Sequence, residues 1–177
     1  PFGATVDSVM LHNKMWFAEG DIRTCLSTLL KDKLPHAKPE NGYYEAPVWK
    51  GPPTMELSMS VLRKGAARVL TGQTGIWWFD MFGGWFNSPE MMKLFSQFQG
   101  WMDSQTVGPM KAEIAVILDE SGLKYFKRNE PALEELIPKQ RTQLNWTGAP
   151  YHAYLAKDLT NPNFKADDYK LYIMLNC

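Results

Sequence analysis

Short, wholly apolar runs alternate along this chain with longer stretches of helical spacing. Met15-Trp16-Phe17-Ala18 is the first run, and it passes straight into Glu19, Gly20, Asp21 and Arg23. Such a run, bounded by Gly and polar residues, predicts a strand buried on both faces. Ile22, Leu26, Leu29 and Leu30 then recur at helical spacing, enough for one or two turns. Thr54 caps a predicted helix to about Leu70 with the stripe Met55, Met59, Leu62, Ala66, Val69 and Leu70, and Gly72 stops it. Gly75 to Asp80 predicts a second strand, after which Gly83-Gly84 turns the backbone past Trp85 and Phe86. Ser88-Pro89-Glu90 opens a helix to about Met102, with Met91, Leu94, Phe95, Phe98, Trp101 and Met102 inward.

Gly108-Pro109 is the best domain boundary, separating residues 1–107 from 108–177. Past it, Ile114 to Glu120 predicts a third buried strand, and Pro131 to about Gln143 a helix made irregular by Pro138. Tyr151–Leu155 and Tyr169–Leu175 read as further strands, and Val6–Leu11 as a short helix or turn. Strands alternating with helices make this an α/β fold with parallel pairing. Pro35 to Pro53 carries five prolines with Tyr43, Tyr44 and Trp49, and reads as a folded lip over a site.

Composition narrows the function. At 45% hydrophobic and 21% charged, the 177 residues are globular, and no apolar run approaches the length of a membrane span. A formal net charge of zero argues against nucleic-acid or anionic-membrane partners. Cys25, Cys177 and the three histidines have no zinc or redox spacing, so free thiols, no metal and no cofactor are expected. The outlier is seven Trp, clustered near acids. Ser121-Gly122-Leu123-Lys124 follows the third strand where a nucleotide-binding domain would carry a phosphate loop, so that half reads as an interaction domain.

Two apolar strands end in carboxylates, Glu19 and Asp80, each beside aromatic residues. Neighbouring strand ends of a parallel barrel share one rim, and paired carboxylates in an aromatic cleft suit glycosidic bond cleavage. The same residues also fit a plain scaffold, with Glu19 paired to Arg23 and Asp80 capping the Gly83-Gly84 turn.

Residues 11–27, LHNKMWFAEGDIRTCLS, resemble the seventh-strand region of family 42-type β-galactosidases and their barrel relatives. Gly75 to Met92, GIWWFDMFGGWFNSPEMM, is similar to the eighth strand and loop of such relatives. EIAVILDE and YKLYIMLN resemble strands of the flavodoxin-like trimerisation domain that follows the barrel in that family. The resemblance implies the last part of a (β/α)8 barrel followed by the start of that domain, with a carbohydrate substrate and a homo-oligomer, a trimer, as the assembly. It implies Glu19 as the nucleophile of a retaining glycosidase, with the acid/base Glu upstream of Pro1.

Asp80 is then a substrate-binding or orienting residue. Arg23 would bond Glu19 or the sugar, and Asp21 a hydroxyl or Arg23. Trp78, sharing the parity of Asp80, is expected in the cleft, with Trp77 against the helices. Trp85 is the expected stacking platform, and His12 is expected to be structural. The chain reads as an excerpt that is inactive alone, which leaves the compartment open. The rivals are a non-catalytic sugar-binding or assembly protein on the same scaffold, and a free-standing flavodoxin-like regulator.

Overall fold

The computed structural model describes residues 4–27, 50–81, 83–104, 108, 110–127 and 130–176. The expected lip from Pro35 lies outside them as far as residue 49, as do Leu29 and Leu30. The chain forms two compact units, one of Phe17–Gly108 and the other of Pro1–Trp16 together with Pro109–Cys177. Each is α/β, built on a small parallel sheet.

In the Phe17–Gly108 unit, β1 (Phe17–Gly20) pairs in parallel with β2 (Gly75–Trp78). Helix α2 (Met55–Thr71) lies in the connection between them. Its start is fixed by Thr54, whose Oγ1 accepts the Leu57 N–H at 3.2 Å, and its end by Gly72, whose N–H reaches the Arg68 carbonyl at 3.1 Å. Helix α3 (Pro89–Ser104) begins with Pro89 and is capped by Ser88 Oγ, which accepts the Met91 N–H at 3.1 Å.

The two stripes meet around Leu62, Met91 and Leu94, with Trp85 and Phe86 filling the space between them. Ala66, Val69 and Phe98 continue the core against Ala18, Ile76 and Trp78. Trp101, expected inward, is exposed instead. The first strand is also not buried on both faces as expected. Helices cover one side of the β1–β2 pair, and on the other Phe17 is 55% exposed and Trp77 45%.

In the second unit β3 (Ile114–Leu118) is central, flanked in parallel by β4 (His152–Leu155) and β5 (Leu171–Leu175). Being central, β3 is buried from Ala115 to Leu118, the pattern expected of its run. Val116 and Leu118 pack with Ala153 and Leu175 on one face, and Ala115 and Ile117 with Tyr154 on the other. The helical stretch over Pro131–Trp146 is α4 (Pro131–Glu134), a wider turn over Glu135–Lys139, and α5 (Gln140–Trp146). Pro138 sits in the wide turn, where the missing N–H is accommodated.

One unit is discontinuous in the chain: helix α1 (Val6–Leu11) groups with residues 109–177. The reason is a set of contacts with β4 and the segment after it. Asp7 Oδ2 accepts the Ala153 N–H at 2.8 Å, and His12 Nε2 meets Asp158 Oδ1 at 2.9 Å. Leu11 packs against the Ala115, Ile117 and Tyr154 cluster.

Candidate functional site

Pleating decides which side chains share a surface. Along β1, Phe17 and Glu19 point to one face and Ala18 and Gly20 to the other. The register sets Glu19 beside Trp77 and Phe17 beside Gly75. Glu19 and Trp77 therefore share the helix-free face, and both are exposed. Among the described residues, the Glu19 carboxylate has no hydrogen-bonding or ion-pair partner. Its carboxylate stands in solvent beside an indole that meets Phe79 edge to face, ring centroids 5.3 Å apart. A Cβ at position 75 would lie 2.3 Å from Cε2 of Phe17, so glycine there makes room for the Phe17 ring.

The turn after β1 is held from both sides. Arg23 forms an ion pair with Asp21 and sets its guanidinium 4.7 Å from the centroid of the Trp85 ring. Thr24 Oγ1 donates to the Trp85 carbonyl. Trp85 in turn gives its backbone N–H to Asp80 Oδ2 at 3.0 Å. Gly83 and Gly84, at φ of +75° and +90°, supply the left-handed backbone that returns the chain from Asp80 to Trp85.

Asp21, Arg23, Asp80 and Trp85 are thus brought together as one connected group, and Glu19 stands on the open sheet face with Trp77. Two expectations are corrected. Trp85 is fully buried in the helical core, so its ring has no face free for a sugar to stack on. Trp78 stacks on Phe95 at 4.4 Å and contacts Phe86 and Phe98, so it faces the helices and not a cleft. The expected parity reckoned from Asp80, but β2 ends at Trp78, and past a strand's end the alternation no longer applies.

Asp80 takes the turn-capping role weighed in the sequence; its other oxygen, Oδ1, is buried with no hydrogen-bond partner among the described residues. Arg23 pairs with Asp21 and not with Glu19. His12 serves a structural bond to buried Asp158.

Trp77 is the residue that sequence reasoning assigned to the wrong side. Register was the missing signal: with β1 and β2 in parallel and Glu19 opposite Trp77, the two must share a face. Among the described residues, no group of three or more His, Cys, Asp or Glu is placed to hold a metal ion, and no helix is long and apolar enough to cross a membrane. Comparison with known proteins found no family model, no curated protein and no solved structure that matches the chain.

Proposed function

We propose that the chain carries the last two strands of a retaining β-glycosidase barrel, with Glu19 as nucleophile, followed by a flavodoxin-like interaction domain that serves homo-oligomer assembly. The observation that supports this reading is the shared exposed face of Glu19 and Trp77 on a parallel strand pair whose opposite face is covered by helices. Barrel enzymes present their chemistry from strands backed by helices in this way. The family likeness of the two strand segments points in the same direction.

On this reading the Glu19 carboxylate attacks the anomeric carbon of a β-galactoside-like sugar as the bond to the leaving oxygen breaks. The leaving oxygen takes its proton from the upstream acid/base Glu, which then activates the water that releases the sugar from Glu19. Trp77 offers an apolar face to the ring. Asp21, Arg23 and Asp80 act through the turn that follows Glu19, by holding its shape.

The test uses the longer polypeptide that this reading requires. Glu19→Gln is expected to lower turnover by roughly a thousandfold or more while sugar binding persists. A 2-fluoroglycoside is expected to form an ester on Glu19, read by peptide mass. Unchanged turnover, or a label on another carboxylate, removes Glu19 from the mechanism. Sugar binding by a wild-type protein that shows no turnover would favour the non-catalytic reading.

A further inference from the structure

The unit of residues 1–16 and 109–177 contains a cavity of about 890 Å³ beside the start of β4, a volume in the range of small-molecule sites. His152, Tyr154 and Tyr169 line it, with Met110 and the carboxylates of Asp7 and Asp168. Nothing in the glycosidase reading uses these residues.

The hydrogen bonds among the three rings run in one direction. His152 Nε2 lies 2.9 Å from the Met110 carbonyl, which can only accept, so in the neutral ring Nε2 carries the hydrogen. Nδ1 is then an acceptor, and it takes the hydrogen of the Tyr169 hydroxyl at 2.8 Å. Tyr169 oxygen in turn takes the hydrogen of Tyr154 at 2.7 Å. Every donor of the three rings is engaged within this chain.

What remains for an occupant is acceptors: the π-systems of the lining rings and the carboxylates of Asp168 and Asp7, the latter also taking the Ala153 N–H. Glu113 also lines the cavity but is paired with Lys170 at 2.7 Å. Lys111, the remaining charged lining residue, is exposed to water. An anion would find few donors here, and a sugar needs donors and acceptors together. A cation with an apolar body fits both the acceptor surface and the methionine, leucine and proline walls.

We infer that this cavity is a binding site for a small organic ammonium ion, held by the Tyr154, Tyr169 and His152 rings and by the Asp7 and Asp168 carboxylates. The charge on Asp7 fits such a ligand. Burial pushes its carboxyl up from the ordinary range, against the hydrogen bond from Ala153 and the fields of His152 and Arg141, so a cation beside it offsets a desolvated charge.

The test compares choline with its neutral carbon isostere 3,3-dimethylbutan-1-ol and with galactose, each titrated into the 177-residue chain and followed through backbone amide shifts. Saturable choline shifts at Ala153, Asp168 and Tyr169 are expected, with affinity about tenfold above either neutral probe. Asp7→Asn keeps an acceptor for Ala153 N–H while removing the charge, and is expected to weaken choline about tenfold with no fall in Tm.

Absence of saturable choline binding up to roughly 10 mM overturns the inference. So does equal or tighter binding of the alcohol, unaltered choline affinity in Asp7→Asn, or preferential binding of galactose, which would reassign the cavity to a sugar. The readout does not involve Glu19, so its failure leaves the hydrolase reading standing.

Discussion

At the scale of single residues, exposure divides three tryptophans close in sequence between the core and the open sheet face. Trp85→Ala is expected to cost about 3–5 kcal/mol in denaturant unfolding, because a fully buried indole and its contact with Arg23 are lost together. Trp78→Ala should fall in the same range, since its ring lies among Phe86, Phe95 and Phe98. Trp77→Ala is expected to cost about 1 kcal/mol or less, the value of one edge-to-face contact, while weakening sugar binding in the longer polypeptide. If Trp77→Ala proves as destabilising as Trp85→Ala, the open face is covered in solution. Identity and order of these residues were legible in the sequence; their orientation was not. It depended on where β2 ends and which residue it sets beside Glu19, and neither has a local signal.

At the scale of elements, local signals carried furthest where chemistry at a helix end is self-contained. Thr54 and Ser88 cap α2 and α3 as their sequence context predicts, and Ser88→Ala is expected to cost about 1 kcal/mol by chemical denaturation. The partners of α1 were not legible, because they lie 146 residues away. Two carboxylates tie α1 down, and their pH dependences have opposite signs. Burial works against the charge of Asp158, but hydrogen bonds from Ser8, His12 and Leu155 outweigh it and hold the carboxyl below its ordinary 3.8. Its contribution is thus complete above that value and is lost as pH falls through the lower folded-state value. Asp158→Asn should lose about 1–3 kcal/mol at neutral pH, a deficit that shrinks in acid below 3.8. Asp7 is raised, so it retains its proton to higher pH when folded, and its charge opposes folding as pH rises. Asp7→Asn should therefore show an equal or higher Tm at neutral pH, measured by thermal unfolding.

At the scale of the whole molecule, the α/β class was readable from the alternation of apolar runs with stretches of helical spacing. The exposed sheet face was not, because an all-apolar run reads as buried on both sides whether or not a second layer exists. Phe17 and Trp77 present apolar surface there, and native protein is expected to bind a hydrophobic dye. Phe17→Lys should reduce that signal by half or more without lowering Tm. The docking of α1 on β4 has a consequence for synthesis. Its partners Ala153 and Asp158 follow it by 146 residues, so at ribosomal rates α1 waits roughly 7–30 s before they are made. During that interval the Phe17–Gly108 unit is synthesised in full, ahead of the β4 segment on which α1 docks.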